Sequence, residues 1–234
     1  MAKFPIVMYH DISAFKSEEF IISTEKLEAQ LAYLSANNYQ TYHFKELKEK
    51  EQLDHDKNII ITFDGAYESQ LALAYPLLKK YQFKATIFVP LGFIGKKDTI
   101  HTDSARIMSL ETLKTLDPDI FELGFYSFGY RNYEELSLVN AEEDLKKCIL
   151  FARENRLNMS SVLAYPDGKY PRENPKKGEF FEMLKDYGFQ YGLRIGDKVN
   201  TFPFKNPYEV QRIDVQGDFS LGTFKRKLRY NRWF

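Results

Sequence analysis

The sequence predicts an α/β protein whose parallel strands close into a barrel. Seven short apolar runs alternate with helical patterns, which is typical of parallel strands joined by crossover helices. The runs are largely apolar and do not alternate strictly with polar residues, as expected for strands that are buried on both faces. Because no glycine-rich phosphate loop follows any of these runs, a barrel is favoured over an open sheet. No segment carries an independent apolar pattern, so we expect one domain over residues 1–234.

The predicted strands are rich in β-branched and aromatic residues and end at turn or polar residues. They cover residues 5–9, 58–63, 85–89, 121–125, 161–165, 190–195 and 209–215. The predicted helices carry apolar residues three or four positions apart. They cover residues 24–36, 67–81, 109–116, 141–155, 179–187 and 220–229.

Local signals mark the ends of these elements. Ser23 or Thr24 is expected to cap the first helix, and Asn140 the fourth. Pro76 is expected to kink the second helix or to bound its second half. Residues 171–178 and 197–207 are predicted to be loops.

Charge and apolar content exclude several kinds of partner. Acidic and basic residues number 33 each, so no long-range field favours nucleic acid or an anionic membrane. No stretch approaches the ~20 apolar residues of a transmembrane helix. The segment before the first predicted strand is too short for a signal peptide, which favours a cytoplasmic location. Cys148, the one cysteine, lies in a helical pattern and is interpreted as a buried apolar residue.

Aromatic residues are abundant, with 20 Phe and 16 Tyr. They either build a large core or line a cleft that stacks on sugars, and composition alone favours the core. The histidines away from the strand ends lie in polar surroundings and are expected to be exposed: His43, His55 and His101. His55 lies between two aspartates, but adjacent side chains cannot readily converge on one metal ion.

The chemistry of a barrel is expected at the carboxyl ends of its strands. The residues there are His10, Asp11, Asp64, Pro90, Tyr126, Pro166, Asp167 and Asp214. Each has a structural interpretation beside the functional one. His10 could be a hydrogen-bonded structural residue, and Asp64 could cap a helix or bond loop amides. Asp167 lies in a Pro-Asp-Gly sequence that is typical of turns, and Tyr126 could be a core aromatic residue.

Four segments resemble a known family in order and spacing. They are "VMYHDIS", "ITFDGAYES", "ELGFYSFGYRNYEEL" and "VLAYPDGKY". Together they resemble polysaccharide deacetylases of the NodB-homology, carbohydrate esterase type. The resemblance is strongest to the circularly permuted subgroup that deacetylates poly-N-acetylglucosamine, and it covers about residues 4–228. It implies a distorted (β/α)7 barrel and a divalent metal such as Zn²⁺ held by two histidines and an aspartate.

The resemblance assigns roles residue by residue. Asp64 takes the position of the general base, and His10 that of the acid that protonates the leaving amine. Gly65 stands where the family has its aspartate ligand, and Tyr126 and Tyr130 stand where it has its histidine ligands. A neutral phenol is a poor ligand for these metals, so we expect no metal site. The predicted substrate-binding residues are Tyr126, Tyr130, Tyr165, Pro166 and Asp167.

Three functions follow as hypotheses. The first is a deacetylase-like protein without metal or catalysis, which binds a carbohydrate such as an N-acetylated glycan or acts as a scaffold in surface-polysaccharide metabolism. The second is an active hydrolase of non-peptide carbon–nitrogen bonds that uses His10 and Asp64. The third is an interaction module, with the aromatic tail 229–234 expected to pack on its own barrel.

Overall fold

The computed structural model describes residues 2–98 and 105–229. Within these ranges the strands in chain order are β1 (Ala2–Phe4), β2 (Ile6–Tyr9), β3 (Asp11–Ser13), β4 (Ile21–Ser23), β5 (Gln40–Thr41), β6 (Asn58–Asp64), β7 (Ala85–Val89), β8 (Phe121–Phe125), β9 (Met159–Ala164), β10 (Tyr191–Ile195), β11 (Asn200–Phe202) and β12 (Val210–Asp214). The α-helices are α1 (Thr24–Ala36), α2 (Tyr75–Tyr81), α3 (Leu110–Lys114), α4 (Leu138–Glu154), α5 (Lys176–Asp186) and α6 (Leu221–Lys227).

Seven of these strands form a closed parallel barrel. Going round the barrel, β2 pairs with β6, followed by β7, β8, β9, β10 and β12, and β12 returns to β2. Val7 lies opposite Ile61 on one side and Ile213 on the other, so the closure is continuous. Connections that contain a helix join the successive barrel strands from β2 to β10, and the connection from β10 to β12 contains the short strand β11. The predicted (β/α)7 barrel is confirmed.

The long strands agree with the sequence prediction to within two residues. The predicted strands 85–89 and 121–125 have the bounds of β7 and β8. The short strands β1, β3, β4, β5 and β11 were not predicted. β11 lies inside the predicted loop 197–207 and pairs antiparallel with β1. The predicted loop 171–178 is also too long, because α5 begins at Lys176.

Helix starts follow from serine caps. Ser23 accepts a hydrogen bond from the N–H of Lys26, which confirms it as the cap of α1. The expectation that Asn140 caps the fourth helix is wrong. α4 begins at Leu138, and Ser137 is its cap, accepting from the N–H of Asn140. Ser220 caps α6 in the same way.

The second predicted helix is divided in two. Residues Gln70–Ala74 form a π-helical turn, and α2 follows from Tyr75. Pro76 lies in the first turn of α2, where its missing N–H costs no hydrogen bond. It therefore bounds the second half of the segment, one of the two outcomes expected. The π-helical turn also places Gln70 beside the carboxyl end of β6.

Two apolar clusters make up the core. One lies between the barrel and its helices and includes Cys148, whose predicted burial is confirmed. The other lies inside the barrel and includes Ile60, Phe88 and Val210. Because alternate residues of a strand point to one side, Asp64 points inward with Ile60, and Arg212 points inward with Val210.

Two histidines fall among the described residues away from the strand ends. His55 is exposed, as predicted. The predicted exposure of His43 is wrong, because its side chain is 1% exposed and its Nε2 lies 3.0 Å from the carbonyl oxygen of Ile120. Burial lowers the pKa of this imidazole. His101 and residues 230–234 lie outside the described ranges. Within those ranges no helix has the length and apolar character needed to cross a membrane.

Candidate functional site

The carboxyl end of the barrel contains a buried ion pair. Asp64, the last residue of β6, is 3% exposed, and Arg212 of β12 is fully buried. Nη1 of Arg212 lies 2.5 Å from Oδ1 of Asp64, and Nη2 lies 2.9 Å from Oδ2. The arrangement is the two-pronged pairing that a guanidinium makes with a carboxylate. The guanidinium also lies over the ring of Phe88, 5.3 Å from its centre. Both oxygens of Asp64 are thus held by a cation of the chain itself.

The side chain of Gln70 connects two strand ends. Its Nε2 donates to the carbonyl oxygen of Asp64 at 2.8 Å and to that of His10 at 3.0 Å. Gln70 is buried, and it comes from the π-helical turn that follows β6. Such turns are often found at functional sites. Here the turn fixes the ends of β2 and β6 relative to each other.

His10 faces a carboxylate across the mouth of the barrel. Its Nε2 lies 3.9 Å from Oδ1 of Asp214, and its ring packs edge-on against Phe20 at 5.2 Å. His10 follows β2 and Asp214 is the last residue of the adjacent strand β12, so the barrel itself brings them together. Burial raises the pKa of Asp214 to about 6, and the neighbouring Asp197 adds to the rise.

The two tyrosines at the family's histidine positions pack against each other. The ring centres of Tyr126 and Tyr130 are 5.1 Å apart in an edge-to-face arrangement. Tyr126 is 2% exposed and Tyr130 is partly buried. Burial raises the pKa of both phenols above their ordinary value, and the charge of Asp64 adds to the rise. Both side chains are therefore neutral phenols at physiological pH.

Left-handed backbone conformations are concentrated at this end of the barrel. Ala66, Tyr130, Asp167 and Asp197 have φ between 52° and 58°. This conformation is uncommon for residues other than glycine and costs roughly 1–3 kcal/mol each. The surrounding contacts must offset that cost, so the loops at the mouth are held in defined shapes. The turn interpretation of Asp167 is confirmed by its φ of 54° in the segment Pro166–Gly168.

The predicted substrate-binding residues differ in their accessibility. Tyr165 and Pro166 are buried, and the hydroxyl of Tyr165 donates to the carbonyl oxygen of Tyr208 at 3.0 Å. Tyr126 is buried as well, and it offers no face to a sugar in this conformation. Asp167 is exposed and Tyr130 is partly so. Direct contact with a glycan at this end therefore remains a prediction chiefly for Asp167 and Tyr130.

The residues at the family's ligand positions are a poor match to a divalent metal. Gly65 supplies no side chain, and Tyr126 and Tyr130 supply neutral phenols, whereas Zn²⁺ prefers imidazole, thiolate and carboxylate. Asp64 is engaged by Arg212. In the part of the chain that the structure describes, no three His, Cys, Asp or Glu side chains are grouped so that they could hold a metal ion.

Sequence reasoning missed four residues that shape the site. They are Arg212, Gln70, Tyr67 and Asp98, of which Tyr67 donates a hydrogen bond to Asp98. The sequence does contain an indication of the role of Arg212, because an arginine inside the predicted strand "VQRIDV" requires a buried partner of opposite charge. The sequence contains no such indication for Tyr67 and Asp98, since their pairing depends on the path of the loop after β7.

The fold and the strand-end residues define an α/β-barrel protein with its site at the carboxyl ends of the strands. Residues 51–192 match the family described as Polysaccharide deacetylase, and the chain belongs to that family. The predicted family membership is confirmed.

Similar proteins extend over most of the chain. It is 32% identical to the protein YxkH of Bacillus subtilis (strain 168), covering 95% of this chain and 75% of YxkH. It is 25% identical to a poly-beta-1,6-N-acetyl-D-glucosamine N-deacetylase of Staphylococcus aureus (strain MSSA476), covering 94% of this chain and 76% of that protein.

Solved structures share the fold at low sequence identity. The Streptococcus pyogenes deacetylase PplD, in complex with acetate, has a TM-score of 0.79 at 19% identity and covers 98% of this chain and 99% of its own. IcaB from Ammonifex degensii has a TM-score of 0.78 at 20% identity, covering 98% of both chains. These likenesses concern the fold, and the side chains of this site must be judged separately.

Proposed function

We propose that this member of the polysaccharide deacetylase family is a pseudoenzyme that lacks the metal site and does not deacetylate. It would act by binding a carbohydrate or a partner in surface-polysaccharide metabolism. The observation that carries the proposal is the joint replacement at the family's ligand positions, where Gly65, Tyr126 and Tyr130 stand in place of a carboxylate and two imidazoles. The fold-bearing segments around these positions are retained.

The chemistry explains why activity by the family mechanism is not expected. When bound, a divalent metal polarises the acetamide carbonyl and lowers the pKa of water from 15.7 to about 7. The chain's own residues do not supply an equivalent. Arg212 donates to both oxygens of Asp64, and without a metal the water that Asp64 would have to deprotonate keeps its ordinary acidity. His10 can donate a proton at the mouth but cannot polarise the carbonyl as an ion does.

The accessible residues at the mouth favour shallow binding over deep binding. Tyr126 and Tyr165 are buried, whereas Asp167 is exposed and His10 and Tyr130 are partly exposed. A carboxylate and a phenol can accept hydrogen bonds from sugar hydroxyls and amides. We therefore place the carbohydrate, an N-acetylated glycan, across the outer rim and above the Asp64–Arg212 pair.

The test compares binding with turnover on the same oligosaccharides. Purified protein is incubated with β-1,6-linked N-acetylglucosamine oligomers, with and without added Zn²⁺, Co²⁺ or Ni²⁺, and released acetate is measured. Binding is followed by calorimetry in parallel, with Asp167→Ala as the binding variant and the exposed Asp119→Ala as its control. We expect binding that is weakened by the first change only, and no acetate.

The second candidate is an active hydrolase that uses His10 and Asp64. The observation that favours it is the His10–Asp214 pair, since a carboxylate beside a histidine orients the imidazole for proton transfer. Acetate release that disappears in both His10→Ala and Asp64→Ala would establish this function. The same result would refute the proposed pseudoenzyme.

A further inference from the structure

The space beside Gly65 is filled by a neighbouring ring. A Cβ atom built on Gly65 would lie 2.5 Å from Cε2 and Cζ of Tyr67 and 2.9 Å from its hydroxyl oxygen. Real Cβ atoms essentially never come that close to another atom. The ring of Tyr67 therefore occupies the volume into which a carboxylate at position 65 would extend. Gly65 has a φ of +95°, a conformation that admits glycine and strains other residues.

Several contacts hold the ring of Tyr67 in that place. Tyr67 is 1% exposed, and its hydroxyl donates to Oδ2 of Asp98, itself buried. A buried carboxylate that loses a donor pays a desolvation penalty. Turning the ring aside would therefore cost the Asp98 hydrogen bond as well as packing.

The backbone around Tyr67 is fixed on both sides. Tyr67 forms an antiparallel bridge with Ile107, and the N–H of Glu68 donates to the carbonyl oxygen of Arg106 at 2.8 Å. The N–H of Met108 donates to the carbonyl oxygen of Ala66 at 2.9 Å. These contacts hold the backbone after Asp64 against the loop that follows β7. The backbone that carries the ring of Tyr67 therefore has little freedom to shift.

We propose that Tyr67, anchored by Asp98, takes the place of the missing ligand side chain and closes the cation position of this barrel. The inference rests on the proposed loss of the metal site and names the residue that keeps the position shut. It means that restoring ligands at positions 65, 126 and 130 is not sufficient for a metal to bind tightly. The ring of Tyr67 must be removed as well.

The first test needs no metal. Gly65→Ala, Tyr67→Leu and the double variant form a double-mutant cycle, measured by urea denaturation. Leucine lacks the atoms of Tyr67 that meet the new methyl group, whereas the backbone strain at position 65 is the same in both backgrounds. We expect Gly65→Ala to lower the denaturation midpoint much more in the native background than in the Tyr67→Leu background. An equal loss in the two backgrounds overturns the proposal.

A matched tyrosine controls for general loosening of the core. Tyr133 is also buried, and its hydroxyl donates to Oδ2 of a buried carboxylate, Asp144, at 2.9 Å. The cost of Gly65→Ala should be the same in the Tyr133→Leu background as in the native chain. If Tyr133→Leu also reduced the loss of stability caused by Gly65→Ala, less dense core packing alone would explain the result seen with Tyr67→Leu. That outcome too would overturn the proposal.

The second test restores the ligands. The triple variant Gly65→Asp, Tyr126→His, Tyr130→His is compared with the same variant carrying Tyr67→Leu, and with one carrying Tyr133→Leu. Zn²⁺ binding is measured by calorimetry, and Co²⁺ by its absorption spectrum. We expect Tyr67→Leu to tighten Zn²⁺ binding by about 10-fold or more, equivalent to about 1.4 kcal/mol for each factor of ten, and Tyr133→Leu to leave it unchanged.

The outcomes separate this inference from the proposed function. Equal affinity of the triple variant with and without Tyr67→Leu overturns the role of Tyr67, and so does failure of the folded four-residue variant to bind Zn²⁺. Neither result bears on the native chain, whose metal content and acetate release test the proposed function directly. If the four-residue variant does not fold, the double-mutant cycle decides the inference alone.

Discussion

At the scale of residues, the site depends on one buried ion pair. Both oxygens of Asp64 accept from Arg212, although 148 positions separate the two residues in the chain. Both side chains are buried, so each charge relies on the other to offset its loss of hydration. The family resemblance assigns the role of general base to Asp64. In this structure its carboxylate is paired with a cation of the same chain, Arg212.

Removing one partner should be strongly destabilising. Arg212→Met leaves the carboxylate of Asp64 buried and unpaired, and we expect a loss of about 3–5 kcal/mol in the free energy of unfolding. The measurement is urea denaturation, with the exposed Arg226→Met as control. The double variant Arg212→Met, Asp64→Leu should lose less than Arg212→Met alone. A loss no larger than that of Arg226→Met would contradict the account.

Asp214 should make stability depend on pH in a defined direction. Its pKa rises from 3.8 to about 6 on folding, mainly through burial. The folded state therefore favours the protonated carboxyl, and stability falls as the pH rises from about 4 to 6 while the unfolded chain ionises first. Asp214→Asn removes this effect. We expect the variant to gain stability over the native chain at pH 7 and to lose that gain near pH 4.

The comparison at several pH values isolates this carboxyl. All other titrating groups are common to the two chains, including Asp197, Lys227 and His10 around the substituted position. The difference between the denaturation midpoints of the two proteins is the quantity to plot against pH. A difference that stays constant would show that Asp214 titrates in the ordinary range, and a gain that grows towards acid would show that folding lowers its pKa.

Sequence reasoning located individual residues better than it located their partners. Asp64 and His10 could be identified because each ends an apolar run, which is a local signal. Their partners lie far away in the chain and meet them only when the barrel closes. Tyr67 and Asp98 illustrate the limit, since neither stands at a position to which strand-end reasoning assigns chemistry.

At the scale of elements, a buried glutamate joins several parts of the barrel. Glu122 of β8 accepts hydrogen bonds from the backbone N–H groups of Phe44 and Lys45, at 2.8 and 2.9 Å. It also accepts from the hydroxyls of Thr86 in β7 and Ser160 in β9, at 2.9 and 2.6 Å. One carboxylate thus ties three adjacent strands to the turn after β5. It lies towards the amino ends of the strands, away from the candidate site.

Loss of this carboxylate should destabilise the fold without altering the mouth of the barrel. Glu122→Ala leaves buried donors without an acceptor, and hydrogen bonds to charged groups are worth about 1.5–3 kcal/mol each. We expect a loss of about 3 kcal/mol or more by urea denaturation, against almost none for the exposed Glu111→Ala. Comparable stability of the two variants would be incompatible with the network described.

Elements with long apolar runs are predicted more accurately from the sequence than short ones. β7 and β8 are mostly apolar runs that are buried along their whole length, and the sequence predicts them to the residue. Strands of two or three residues, such as β5 and β11, exist because a distant backbone pairs with them. Such pairing leaves no periodicity to detect. The misplaced start of α4 has a similar origin, because Ser137 and Asn140 are equally good caps by type.

At the scale of the whole molecule, the fold is shared with proteins of distant sequence, and we propose that the metal site has been lost. Solved deacetylase structures superpose with TM-scores of 0.78 and 0.79 at 19–20% identity. Apolar strands tolerate many substitutions of similar volume, so a barrel persists across distant sequences. A metal site depends on a few specific atoms, and the proposed function assigns its loss to the residues at three positions, Gly65, Tyr126 and Tyr130.

The central proposal is that, among the residues that the structure describes, the barrel has no side chains left to hold a divalent metal at Asp64. Equilibrium dialysis of the purified chain against Zn²⁺, Co²⁺ and Ni²⁺, with metal quantified by mass spectrometry, tests it most directly when Asp64→Ala is dialysed in parallel. The account predicts that the native chain and the variant retain the same substoichiometric background of each ion. One tightly bound ion per native chain that is lost in Asp64→Ala would contradict it.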